Sequence, residues 1–97
     1  MQLLEEILAR DPASKLARYG LAVEFANAGE WARAMQEFET MIDSDPSYAA
    51  AYYHGGQTLE KMGDPDRARE FYRRGLAANI DAHTRSEIQA ALDILGD

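Results

Sequence analysis

Two copies of one pattern, offset by 34 residues, constrain this chain more than any other feature. Asp11-Pro12 recurs as Asp45-Pro46, Gly29 as Gly63, Ala34 as Ala68, Phe38 as Tyr72 and Ile42 as Leu76. A period of that length, marked by Asp-Pro, a glycine, a small residue and an aromatic, is the signature of stacked helix-turn-helix units. Each unit leaves an apolar face that its neighbour must cover, so about three stacked units are needed for stability.

The local chemistry divides the chain accordingly. Met1 to Arg10 places Leu4, Ile7 and Leu8 at the i, i+3, i+4 spacing of one helical face, read as core, and Pro12 closes the helix because it has no amide proton. Ala13 to Ala28 follows as an inner helix with Leu21, Ala22 and Phe25 on one side, and Gly29 supplies a turn that can take positive φ. Trp31 to Ser44 carries Ala34, Phe38, Met41 and Ile42 as its packing stripe, with Glu37, Glu39 and Asp43 directed to water. Asp45 or Ser47 can cap the next helix, Ala49 to Met62. Gly55 and Gly56 would each cost on the order of 1 kcal/mol in an exposed helix. Close approach offsets that cost, with Gly56 letting the paired outer helix reach the backbone and Ala68 answering it. Pro65 stands near the start of the outer helix Asp66 to Ala78. Arg67, Arg69, Arg73 and Arg74 on that helix alternate with acids, as on a solvated, ion-paired face. Ile88, Ala91, Leu92 and Leu95 predict a last helix from His83 or Thr84 to Leu95 that caps the stack, and Gly96-Asp97 echoes Gly63-Asp64.

Leu21-Ala22, Phe25, Gly29, Ala34, Phe38, Ile42 and Asp45-Pro46 resemble the tetratricopeptide repeat. The second copy, Tyr52, Gly55-Gly56, Leu59, Gly63-Asp64, Ala68, Tyr72 and Gly75-Leu76, resembles it more closely. The first copy departs from the pattern at Arg18 and Met41, and the second at Ile80, where the proline is lost. The resemblance implies an all-α fold, a right-handed superhelical array of antiparallel helix pairs with about six helices. Residues 1–97 then form a single domain: a half-repeat helix at 1–10, repeats at 15–48 and 49–82, and a capping helix at 83–96.

Composition narrows function by exclusion. A net charge of −7 argues against binding a phosphate backbone, which needs a basic surface. Residues 1–48 hold nine acids and four bases, so a basic partner would meet that end first. There is no cysteine, hence no thiolate chemistry and no thiolate zinc site. The acids inside MQLLEEILARDP do not fit a secretory signal, and no stretch approaches the about 18 apolar residues of a membrane span, which makes the cytoplasm the expected location. His54 and His83, the two histidines, form no metal-ligand pair, and the glycines spell no phosphate loop. Neither a catalytic constellation, a cofactor nor a metal is expected.

The resemblance also implies a site. The inner helices of such arrays line a concave groove, which by register would present Leu16, Tyr19, Gly20, Val23, Ala26 and Asn27, then Ala50, Tyr53, His54, Gln57, Glu60 and Lys61. Tyr19 and Tyr53, 34 apart, would form a two-rung aromatic ladder, and tyrosine is enriched at interfaces because its ring buries area while its hydroxyl finds a partner. The alternative is that both rings merely cover helix packing. The basic clamp with which chaperone-binding members hold an acidic peptide end has no counterpart: its places carry Tyr19, Val23 and His54, and Arg85 is the only base of the last helix. The expected function is a non-enzymatic adaptor that takes a peptide or helix on Leu16, Tyr19, Val23, Asn27, Tyr53, His54, Gln57 and Lys61, with no nucleic acid or membrane as partner. The competing reading is self-association, as in a homodimer, or a piece of a longer array, with Leu3, Trp31 and Phe71 as apolar residues unclaimed by the core stripes.

Overall fold

The computed structural model describes residues 2–96. Met1, where the first helix was expected to start, and Asp97 of the Gly96-Asp97 echo lie outside the described residues. Six α-helices run in order: α1 (Gln2–Arg10), α2 (Lys15–Asn27), α3 (Trp31–Ser44), α4 (Ala49–Lys61), α5 (Pro65–Ala77) and α6 (Ala82–Leu95), with no strand among the described residues. Helices α2 and α3 pack as one pair and α4 and α5 as the next, α3 contacts α4, and α6 lies against both α4 and α5.

The helix ends follow from their residues. Gly29, Gly63 and Gly96 all take φ near +79° or +78°, the left-handed conformation that lets the chain reverse without a Cβ clash. After the first two, the Glu30 amide donates to Phe25 O at 2.8 Å and the Asp64 amide to Leu59 O at 3.0 Å, satisfying carbonyls that the helix ends leave open. Ser14, Asp64 and Asp81 accept from the amides of Ala17, Arg67 and Thr84, each three residues on, as N-caps. Pro65 is already helical, one residue earlier than expected, because its missing amide proton is harmless in the first turn. The cap expected at Asp45 or Ser47 is not formed. Asp45 Oδ1 instead accepts from the amide and hydroxyl of Ser47, closing a local turn, and Tyr48 stands at the N-cap of α4 without a side-chain bond.

The core runs along the seam of the pairs: Leu21, Ala22 and Phe25 from α2, Ala34, Met35, Phe38, Met41 and Ile42 from α3, Tyr52 and Leu59 from α4, Ala68, Phe71 and Tyr72 from α5, and Ile88 and Leu92 from α6. Phe71, left unclaimed by the sequence pattern, is thus core, and Trp31 is half-buried. The first helix corrects the sequence reading. It contacts α2 alone, so Leu4 and Leu8 are half-buried while Ile7 is 39% and Leu3 69% exposed. Glu37 and Glu39 also depart from expectation, being half-buried and paired across helices, with Arg18 Nη1 at 2.7 Å and Arg74 Nη1 at 2.9 Å. The arginine face of α5 is therefore only partly a matter of its own helix. Arg69 pairs with Asp66 but also donates to Gly96 O at 2.8 Å and Leu95 O, tying down the end of α6.

Gly55 and Gly56 have a sharper reason than approach of backbones. A Cβ on Gly55 would lie 2.4 Å from the Phe71 ring and one on Gly56 2.1 Å from the Tyr72 ring, so two aromatic side chains of α5 occupy space that side chains on α4 would otherwise fill.

Candidate functional site

Three helices contribute to one face. Helix α4 contacts α2 on one side and α6 on the other. On this face Tyr19 is half-buried, its ring centroid 5.4 Å from that of His54 and 6.2 Å from that of Tyr48, and Tyr53 meets His54 from the other side at 5.3 Å. The expected ladder thus runs through His54, which joins the two tyrosines as a middle rung with edge-on geometry favoured by the ring quadrupoles. Burial pushes the Tyr19 phenol above its ordinary value, with Tyr48 adding to it. His54 is lowered, mainly by burial, with Glu87 acting against the shift and Lys61 with it. The shift favours the neutral imidazole.

Two clefts flank the aromatic run. The smaller, about 40 Å³, is lined by Val23, Ala26, Asn27, Phe38, His54, Gln57, Thr58 and Lys61. The larger, about 360 Å³, lies between α4 and α6 and is lined by Tyr53, Gln57, Glu60, Glu87, Ala90, Ala91 and Ile94. Of the residues expected from the sequence, Val23, Asn27, Tyr53, His54, Gln57 and Lys61 line these clefts. Tyr19 joins through His54, and Leu16, 76% exposed at the start of α2, stands outside both.

The contribution of α6 escaped the sequence reading, which treated the helix as a cap. Its signal was the spacing of the turn glycines. Gly63 to Gly96 is 33 residues, so one residue is missing between α5 and α6. Shifted by that residue, Glu87, Ala90 and Ile94 fall at the positions of His54, Gln57 and Lys61, and Arg85 falls at that of Tyr52. The hydrogen bonds agree: Arg18 Nη2 donates to Pro12 O at 3.3 Å, the Tyr52 hydroxyl to Pro46 O at 2.6 Å, and Arg85 to Leu76 O and Ala78 O at 2.6 and 3.0 Å. At one position of each inner helix, then, a polar head ties the helix to the segment that precedes it.

Among the described residues no group of three or more His, Cys, Asp or Glu side chains is placed to hold a metal ion, and no helix is long and apolar enough to cross a membrane. The geometry is one of helix pairs with a shared, partly aromatic face, and comparison with known proteins places it. A sequence profile of the tetratricopeptide repeat matches residues 25–95. The chain belongs to the tetratricopeptide repeat family. It is similar to a TPR repeat-containing protein of Pseudomonas aeruginosa, 32% identical over 87 residues, which are 90% of this chain and 80% of the relative. The solution structure of a Bordetella parapertussis protein aligns with a TM-score of 0.82 at 31% identity, covering 97% of this chain and 84% of the other. A tetratricopeptide repeat domain protein of Salinibacter ruber, also solved in solution, gives 0.79 at 30% identity over 89% and 90% of the two chains. Tetratricopeptide domains are generally protein-interaction modules and typically non-catalytic.

Proposed function

We propose that the face shared by α2, α4 and α6 binds a segment of a partner protein, as a peptide or a helix laid across the inner helices, with 15–48 and 49–82 acting as the two full repeats that build it. The observation that carries this is the half-buried run Tyr19, His54 and Tyr53, flanked by two clefts. Rings already held by neighbours lose little freedom when a partner covers them, and helix-in-groove binding uses such apolar anchors with polar groups beside them. Val23 supplies apolar floor, Asn27, Gln57 and Lys61 supply polar contacts, and Leu16 is an exposed apolar edge.

The test begins with peptides selected from a random displayed library on the purified protein. Their dissociation constants are then measured for Tyr19→Ala, Tyr53→Ala and, as a control on the exposed side of α3, Gln36→Ala, each checked for folding by circular dichroism. Loss of an anchor of this kind costs about 2 kcal/mol or more in binding, whereas Gln36→Ala should leave binding unchanged. Equal affinity of all three variants would sink the reading.

A further inference from the structure

The large cleft between α4 and α6 differs in character from the rest of the face. Its rim holds two carboxylates, Glu60 and Glu87, and neither lysine nor arginine is among its lining residues. Glu60 is exposed but held at one oxygen: the hydroxyl of Tyr72, a fully buried side chain, donates to its Oε2, which orients the carboxylate. Glu87 Oε1 lies 3.0 Å from His83 Nε2, and His83 is itself exposed. The Tyr53 ring and Ala90 line the same cleft, as does Ile94, 85% exposed. Lys61 lines the smaller cleft with Val23 and Asn27 and, with Gln57 and Glu60, a separate hollow of about 250 Å³.

These features define a side chain with an aliphatic stem and a cationic head. We infer that the α4–α6 cleft receives a lysine or arginine of the bound segment, with an adjacent branched apolar residue seated on Ile94. The stem packs on Ala90, the head lies over Tyr53 and between Glu60 and Glu87, and the overall charge of −7 attracts such a segment from a distance. This rests on the reading that the face binds a protein segment and adds its chemistry: the partner is basic and apolar at this end.

The probes are three acetylated, amidated synthetic peptides of equal length. They alternate leucine and serine and carry arginine, glutamate or serine at two central positions. Titration at low and at physiological salt, followed by amide chemical shifts of the full chain, should show the arginine peptide binding about tenfold or more tightly than the glutamate peptide. Its shifts should fall at residues 60, 87, 90 and 94. The variant Glu60→Gln/Glu87→Gln keeps an acceptor for Tyr72 and should abolish that preference while leaving the serine peptide unaffected. Equal binding of the arginine and glutamate peptides, or a preference that survives the double substitution, overturns the inference. If in that case the shifts still centre on Tyr19, His54 and Tyr53, the broader groove reading stands without its acidic subsite. Absence of binding by the arginine peptide overturns the subsite as well, and the groove is then judged by the library-selected peptides.

Discussion

The two helix pairs occupy one register with different chemistry, and the differences come in matched sets. In α4/α5 Tyr52 and Phe71 form an aromatic contact with centroids 6.1 Å apart; 34 residues earlier, in α2/α3, the same two positions hold the ion pair of Arg18 and Glu37. Gly55 makes room for Phe71, and where Glu37 replaces that ring, Leu21 replaces the glycine. Gly75 would place a Cβ 2.8 Å from Tyr52 Cβ and 3.0 Å from Ile88 Cδ1, and where Arg18 replaces the tyrosine, Met41 fills the glycine's position and is buried. The departures from the repeat pattern at Arg18 and Met41 are therefore two halves of one exchange. Within each pair a change at one position is answered by a change at the residue it packs against, in size or in charge, as expected where interiors are close-packed and a half-buried charge needs its partner.

The strongest attempt to break this comparison imports the bulky residues of the first pair without their partners. Gly55→Leu and Gly75→Met should each overpack α4/α5 by about 1–3 kcal/mol, and together more. Adding Tyr52→Arg and Phe71→Glu completes the transplant and should recover a good part of the loss in urea denaturation. Strictly additive costs across the four substitutions would show that the pairs are not exchangeable units.

A smaller effect is expected at the ion pair. Arg18→Met leaves Glu37 half-buried and without its 2.7 Å partner, at a cost of about 1–2 kcal/mol after allowance for solvent access. Glu37→Leu added to it should restore stability, because the site then approaches the apolar seam of the second pair. A double-mutant cycle measures the coupling, and a coupling near zero would remove the ion pair from the comparison.

The smallest effect separates the two inner helices by pH. His54 lies where α2 has Gly20, and burial lowers its folded pKa below the ordinary value of about 6.5. The unfolded chain therefore takes up this proton first. The contribution is fully present above about pH 6.5 and is lost as pH falls through the folded value. Stability should decline over that window, less so in His54→Gln, and the imidazole resonances should titrate below those of a free histidine. A His54 that titrates at or above the free value would contradict its place between the tyrosines.

The sequence by itself determined the helices and their order. The turn glycines Gly29 and Gly63, Pro65 and the apolar stripes act within a few residues of chain, where chemistry and spacing coincide, whereas the caps at Ser14, Asp64 and Asp81 emerged only from the structure. The family resemblance, carried along the 34-residue register, also pointed to Val23, Asn27, Tyr53, His54, Gln57 and Lys61, which line the two clefts. Only the tertiary structure decided what meets across helices: that Arg18 faces Glu37, that the Gly55 and Gly56 surface receives two rings, that His54 joins Tyr19 to Tyr53, and that Ile7 is left 39% exposed. It alone brought Glu60 and Glu87 to one cleft, because a single missing residue before α6 shifted the period and hid the third rank of the face. The physical reason is the same in each case. Local signals fix backbone conformation, whereas packing depends on pairs of residues whose partners are set by how helices dock, and a periodic sequence does not display those partners where both members change together.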